Sequence, residues 1–218
     1  MTDFQSSVEL KSFGISNRPS TASIRQFLVF KRAFDLSLAV LLLPLLLFFV
    51  VLLAILNPMF NRGPLFFVQK RMGKDCAAFP ALKFRSMKKA ATASRAAEDA
   101  LEVDRITRLG GFLRKTRIDE LPQILNVLRG EMSLIGPRPD SFEHATYFLE
   151  VIPGYRKRHS VRPGISGLAQ TEVGYVEGAE ATRRKVSADL FYIANQSFRL
   201  EAWIFWRTFA VILGRHGI

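Results

Sequence analysis

Asp119 and Glu120 stand side by side after three cations, Arg114, Lys115 and Arg117, and ahead of two arginine-bearing loops, GPRP at 136–139 and RPGISG at 162–167. An adjacent acidic pair alone is most often solvated surface. This one opens the stretch LPQILNVLRG, predicted as a helix ended by Gly130, so Asp119 falls at or near a helix N-terminus. Phosphate chemistry needs such parts. Arginine forks bind phosphate oxygens in pairs, and a helix N-terminus adds N–H groups and a favourable dipole. One carboxylate could hold a divalent metal on a diphosphate, leaving the other to attack or to accept a proton. The competing reading is structural: the arginines simply neutralise Asp119, Glu120 and Glu131.

Other chemistries have little support in the sequence. Cys76 is the sole cysteine, which excludes an internal disulfide framework, and neither paired CxxC elements nor a His-rich cluster offers a zinc site. His144, His159 and His216 lack a partner pattern and read as structural or exposed. The formal charge of +12 draws the chain toward nucleic acid, anionic headgroups or phosphorylated small molecules. No helix-turn-helix, RNP-type or zinc-finger pattern accompanies the cations, so nucleic acid is not the expected partner.

The elements that must position the pair begin with Leu38 to Leu56, 19 residues without a charged or polar side chain. That is the length of a bilayer segment; a buried core helix would show a polar stripe. Lys11, Arg18, Arg25, Lys31 and Arg32 precede the run and 26 of the 31 Lys and Arg follow it, so both flanks read as cytoplasmic. Pro44 supplies a bend. The arms Leu36–Leu43 and Leu45–Leu56 reach only about 12 and 18 Å at ~1.5 Å per residue, short of a roughly 30 Å hydrocarbon core. The expectation is a re-entrant helix-break-helix, with Lys31 and Arg32 at the headgroups and Asp35 capping or pairing where the segment enters; a kinked spanning helix is the alternative.

Around the pair, Pro64–Arg71 and Ala81–Met87 suit a small hairpin, and Ala90–Val103 an exposed helix. Leu200–Leu213 carries Trp203, Trp206, Phe209 and Ala210 at helical spacings, as a core helix or an interfacial one.

KRAFD at 31–35, KFRSM at 83–87, the block DRITRLGGFLRKTRIDELPQILNVLRGEMSLIGPRP at 104–139 and RPGISGLAQ at 162–170 resemble the signature blocks of the bacterial sugar transferase family, the small monotopic phosphoglycosyl transferases. The likeness runs from about Lys31 to the C-terminus. It implies that Asp119 is the nucleophile, attacking a phosphate of a UDP-sugar to give a phosphosugar-aspartyl enzyme and UMP, and that polyprenyl (undecaprenyl) phosphate then takes the sugar phosphate. Glu120 would be its partner, in magnesium (Mg2+) binding or proton handling. Arg114 resembles the family's phosphate-facing arginine, Lys83 and Arg85 its basic strand, and Arg138 and Arg162 contacts to diphosphate or nucleotide. The cations would lower the pKa of Asp119 and hold the substrate. One departure stands out: the family's bend is usually a Ser-Pro pair, whereas Leu43 precedes Pro44 and Ser37 lies almost two turns earlier.

The expected architecture is therefore an α+β, predominantly α, monotopic membrane protein. It comprises a mobile cytoplasmic tail over 1–30, a re-entrant membrane helix over 31–57, and a cytoplasmic catalytic domain over 58–218 with a C-terminal interfacial helix. Its expected place is the cytoplasmic face of a bacterial inner membrane, with membrane lipids, a UDP-sugar and polyprenyl phosphate as partners. A multi-pass phosphoglycosyl transferase would need more hydrophobic segments, and an ordinary glycosyltransferase would release UDP. The non-enzymatic alternative, a membrane-tethered basic module for nucleic acid or anionic lipid, predicts salt-sensitive polyanion binding.

Overall fold

A computed structural model describes residues 21–61, 63–88, 103–172 and 179–213. Helix α1, Thr21–Leu41, starts ten residues inside the stretch expected as tail. Residues 1–20 and most of the predicted helix over 90–103 lie outside the described residues.

The apolar run divides between α1 and α2, Leu43–Phe60. The break falls at Leu42, and Pro44 sits in the first turn of α2. A proline is tolerated there because its missing N–H would have no partner in that turn. It still cannot donate to the Val40 carbonyl four residues back, and the interruption between the two helices falls at Leu42, two residues ahead of the Pro44 expected as the bend; Leu42 itself is in the right-handed helical region, and its N–H and that of Leu46 keep their helical carbonyls at 3.0 and 2.9 Å. By length and composition α2 is apolar enough to cross a membrane.

Each arm buries one face against the same domain. Ala39 of α1 and Leu46 and Leu53 of α2 join Phe84, Leu113, Ile124 and Val127 in one apolar core, while Val40, Leu47, Phe48, Val51 and Ile55 stay exposed. The base of α1 is polar. Arg32 donates to the carbonyls of Val127 (2.8 Å) and Met132 (3.3 Å), and Asp35 accepts from Ser133 Oγ (2.6 Å) and the Leu134 N–H (3.2 Å). Lys31 pairs with Glu201 at 2.6 Å. Lys31 and Arg32, expected at lipid headgroups, are thus tied to protein instead, and Asp35 pairs as anticipated. At the far end of α2, Asn57 donates to the Gly63 carbonyl (2.6 Å) and Asn61 to that of Arg85 (2.8 Å). A continuous helix would hold Arg32 and Asn61 roughly 44 Å apart. Here both are anchored to one small domain.

That domain is built on a hairpin, β1 Phe66–Met72 and β2 Ala78–Phe84, antiparallel from Phe66↔Phe84 to Met72↔Ala78. The predicted hairpin is therefore present. Helix α3, Arg108–Lys115, leads toward the acidic pair, and α4, Gln123–Arg129, follows it, ending at Gly130 with φ 85°, a conformation glycine adopts without strain. Asn126 clamps β2 to α4. Buried, it accepts from the Leu82 N–H (3.0 Å) and donates to the Pro80 carbonyl (2.8 Å) and to Glu131 (2.6 Å).

Strand β3, Ser133–Ile135, pairs in parallel with β4, Gly164–Ser166, so the segment expected as a loop at RPGISG is partly a strand. A Cβ on Gly164 would lie 2.1 Å from the Gly136 nitrogen, which is why both loops need glycine here. Helices α5 (Phe142–Val151), α6 (Leu168–Glu172), α7 (Ala179–Ala194) and α8 (Phe198–Leu213) complete the fold. In α8, Leu200 and Ile204 are core, whereas Trp206 is 74% exposed and Phe209 is also outward. The helix thus serves a core on one face and leaves an aromatic face open.

Asn126→Leu should leave the Leu82 N–H and Pro80 carbonyl unpaired, at about 1–3 kcal/mol per buried group. Thermal unfolding in detergent should show a clear loss of stability; an unchanged midpoint would remove Asn126 as the clamp.

Candidate active site

Thr107 caps α3 by accepting from the Gly110 N–H at 2.9 Å. The chain then passes Thr116 and reaches Arg117, a non-glycine residue in the left-handed region at φ 58°. That conformation costs of order 1–3 kcal/mol and needs a surrounding structure that enforces it. It redirects the chain into the 3-10 turn Ile118–Glu120, where Asp119 is 7% exposed and Glu120 4%. The pair thus occupies its own turn ahead of α4, not the first turn of that seven-residue helix.

Glu120 is held on both oxygens. Arg138 closes on it with two guanidinium nitrogens, Nη1 to Oε2 at 3.0 Å and Nη2 to Oε1, while Lys83 Nζ reaches Oε1 at 2.8 Å. Arg117 stands further off, 3.8 Å from Oε2. Burial alone would push the Glu120 carboxyl up, but Arg138 and Lys83 override it and hold the group well below the usual carboxylate range.

Asp119 is treated differently. Burial pushes it up to about 6, against the charges of Lys83, Arg138 and Arg114 and in the same direction as neighbouring Glu120. The cations do pull it down, as expected, but burial outweighs them and the net shift is upward. Asp119 Oδ1 is buried with no hydrogen-bond partner among the described residues. One carboxylate is locked as an ion; its neighbour carries a free oxygen.

The other candidate residues divide. Lys83 and Arg138 meet at Glu120, and Arg114, whose Nη1 approaches Met87 Sδ at 3.4 Å, lies close enough for its charge to act on Asp119. Arg85 does not join them: its guanidinium lies over Gly63, where a Cβ on residue 63 would meet Nη1 at 2.0 Å. Arg162 donates to the Gly130 carbonyl at 2.8 Å, at the end of α4 away from the pair.

Several residues were missed in the sequence. Arg71 donates to the Pro139 carbonyl at 2.6 Å and lines, with Lys83, Gln123 and Arg138, a small basic cleft of about 10 Å³. It follows Lys70 near the end of β1 and pairs in register with Phe79, a placement that only the hairpin register reveals. Behind Arg138 lies a buried network. Arg158 bonds Asp189 (2.9 Å), Asp140 and the carbonyl of Arg138 itself (2.7 Å). Asp140 also takes Tyr155 OH (2.6 Å) and Lys185. These partners are 15 to 45 residues apart in the chain, so no local spacing announces them.

Among the described residues, no group of three or more His, Cys, Asp or Glu forms a protein-only metal site. Magnesium commonly binds through one or two carboxylates plus substrate phosphates. The orphaned Asp119 Oδ1, with Glu120 Oε2 and its single close partner, fits that arrangement for an ion that arrives with a diphosphate.

The chain thus sets a buried acidic pair among lysine and arginine side chains in an α+β domain, and it carries one helix apolar enough to cross a membrane. The chain belongs to the bacterial sugar transferase family, which it matches over residues 26–215. It is 44% identical over 188 residues to a UDP-N-acetylgalactosamine-undecaprenyl-phosphate N-acetylgalactosaminephosphotransferase of Aeromonas hydrophila, covering 86% of this chain and 44% of that protein. It is 40% identical to the exopolysaccharide production protein PSS of Rhizobium leguminosarum bv. phaseoli, over 83% of this chain and 94% of that one. A UDP-glucose:undecaprenyl-phosphate glucose-1-phosphate transferase of Caulobacter vibrioides is also 40% identical, over 84% of this chain and 67% of the relative.

Carboxyl-carbon NMR titration should find Asp119 near pH 6 and Glu120 ionised well below the usual carboxylate range. Lys83→Met, which removes the strongest cation acting on Asp119, should move Asp119 higher; a titration of Asp119 at the ordinary carboxylate position in the wild-type protein would contradict the division between the two groups.

Proposed function

We propose that this protein is a phosphoglycosyl transferase that moves a sugar 1-phosphate from a UDP-sugar to polyprenyl phosphate and releases UMP. The observation that carries the reading is the unpartnered Asp119 Oδ1 beside a Glu120 locked by Arg138 and Lys83. The relatives named above support the substrate classes.

In the first half-reaction an Asp119 oxygen attacks the sugar-bearing phosphorus. The new O–P bond forms as the bridging P–O bond breaks, and UMP departs with the electron pair. In the second, an oxygen of the polyprenyl phosphate attacks the same phosphorus, the Asp119–phosphorus bond breaks, and the carboxylate is restored. Asp119 must be ionised to attack, and at about 6 its pKa leaves it mostly so at pH 7. Lys83 and Arg138 line the basic cleft and would face the diphosphate, with Arg114 adding charge near the nucleophile. Glu120 and Asp119 would hold magnesium brought by the substrate, and the ion when bound would neutralise diphosphate charge. Arg85 and Arg162, placed away from the pair, would contact the donor only where it extends beyond this cleft.

The apolar arms are proposed to form a re-entrant segment on the cytoplasmic face of the inner membrane. Their anchoring at both ends to one domain supports this topology, and so do the basic flanks. The nucleotide would then come from water and the lipid from the leaflet that the domain faces.

UMP release from a panel of UDP-sugars by detergent-purified protein, with magnesium and polyprenyl phosphate, tests the reaction. Wild type should release UMP, and Asp119→Asn should lose activity by on the order of 10⁴-fold or more, as expected for a nucleophile. The rate should rise with pH through about 6 as Asp119 ionises and should fall on acidification. A folded wild type inert toward every donor, with salt-sensitive polyanion binding indifferent to Asp119→Asn, would replace the enzyme with a binding module. Cysteines introduced at Ser20 and Ser187 should both be labelled from the cytoplasmic side alone; labelling of the former from outside would make the segment a span.

A further inference from the structure

Arg138 has to be aimed. Its guanidinium closes on Glu120 and lines the basic cleft, while its backbone lies in the loop 136–140 between β3 and α5. Local chemistry fixes part of that loop. Prolines stand on both sides of Arg138, at 137 and 139; each locks its own φ, and Pro139 biases Arg138 toward extended backbone. What remains is the direction of the peptide planes. Four successive carbonyls are each taken by a donor from elsewhere in the fold: that of Pro137 accepts from the Gly164 N–H (3.0 Å), that of Arg138 from Arg158 Nη2 (2.7 Å), that of Pro139 from Arg71 Nη1 (2.6 Å) and that of Asp140 from the Met72 N–H (3.2 Å). Strands β1 and β4 supply three of these donors. The plane that follows Arg138 depends on a single buried side chain.

Arg158 is 1% exposed, and all three of its nitrogens are engaged. Nε donates to Asp189 (2.9 Å), Nη1 to Asp140 and to Tyr155 OH (3.1 Å), and Nη2 to the Arg138 carbonyl while lying 2.8 Å from Asp189. Lys185 completes the cluster on Asp140, so two carboxylates face two cations. None of these side chains lines the basic cleft. Buried ion pairs add little net stability, and apolar groups of similar volume often serve a fold as well or better. Apolar packing, however, has no direction, and it cannot hold a carbonyl.

We infer that Arg158 is a positioning residue for the transfer: by gripping the Arg138 carbonyl and Asp140 together, it sets the angle at which the Arg138 side chain leaves its loop to meet Glu120 and the diphosphate. The inference rests on the transferase reading and extends it to a residue that touches neither the acidic pair nor the basic cleft. The geometry selects Arg158 over its neighbours. Tyr155 and Lys185 reach the loop at Asp140, and Asp189 reaches it through Arg158. Within the cluster, Arg158 alone spans positions 138 and 140.

The test uses the full chain in detergent with magnesium and polyprenyl phosphate. Arg158→Lys keeps the charge but places its donors on one nitrogen, which cannot reach all that the guanidinium contacts from three. Its kcat for UMP release should fall by on the order of 10²-fold, the effect of a misplacement of about 1 Å set up far from the chemistry, with the acceptor KM unchanged. Tyr155→Phe removes two hydrogen bonds of the same cluster and leaves the Arg138 carbonyl held. It should lower the unfolding temperature and leave kcat unchanged. Arginine side-chain NMR, assigned with Arg138→Lys, supplies a readout without turnover: the Arg138 Nη signals, kept apart by the clasp on Glu120, should merge in Arg158→Lys and stay resolved in Tyr155→Phe. Where Arg158→Lys does not fold, Arg158→Met with Asp189→Leu removes the buried pair as a unit, leaves Asp140 with Lys185, and should show both effects in a folded protein. Wild-type kcat and Arg138 signals in either folded variant would overturn the inference. So would a loss of kcat in Tyr155→Phe as large as in Arg158→Lys, which would make the cluster structural only. If wild type released no UMP, the transferase reading would fail by itself, and the Arg138 signals would still decide whether Arg158 aims that side chain.

Discussion

The ionised Glu120 is the constraint around which this domain is organised. A carboxylate removed from water costs several kcal/mol unless its oxygens are met by well-placed cations. Here they are met by Arg138 in a two-nitrogen clasp and by Lys83. The three residues come from different parts of the chain: β2, the turn after α3, and the loop after β3. None of these segments can shift alone without exposing an uncompensated charge. The same arrangement leaves Asp119 the less stabilised of the two carboxylates, so a fixed ion and a usable oxygen arise from one set of contacts.

That clasp requires Arg138 to be rigid, and the structure supplies the rigidity in layers. Arg158 holds the Arg138 carbonyl and, through Asp140, the residue two positions on. Asp189, Lys185 and Tyr155 close the network from α7 and from the 3-10 turn Tyr155–Ser160. On the other flank, the close approach of Gly136 and Gly164 fixes the start of the same loop. Buried charges of this kind add little net stability, but removing one member leaves its partner uncompensated. Their contribution is therefore to the position of the loop.

What could be read from the sequence was whatever local spacing encodes. The hairpin, the helix ended by Gly130, the apolar run and the acidic pair all announce themselves within short windows, and Lys83, Arg114 and Arg138 were found because they lie in motif blocks beside that pair. Arg85 and Arg162 came from the same blocks, yet they turn toward Gly63 and Gly130. Neighbourhood in a motif does not fix the direction of a side chain. The pairing of β3 with β4 escaped because three-residue parallel strands show no usable periodicity. Lys31 and Arg32 read as headgroup ligands in the sequence, which cannot show that a domain packs against the base of the helix that carries it.

That last point links the apolar arm to the chemistry. Helix α4 has only seven residues, too few to be stable in isolation. Arg32 supplies a cation to its C-terminal end through the Val127 carbonyl, where the helix dipole and unpaired carbonyls favour one. Asp35 fixes the start of β3 from the adjacent turn of α1. The acidic pair lies immediately before α4, and Arg138 lies immediately after β3. The base of the apolar arm thus grips both sides of the Glu120 clasp. A change in the seating of α1 would be felt first at α4 and β3, the two elements that set the distance between Arg138 and the carboxylate it holds.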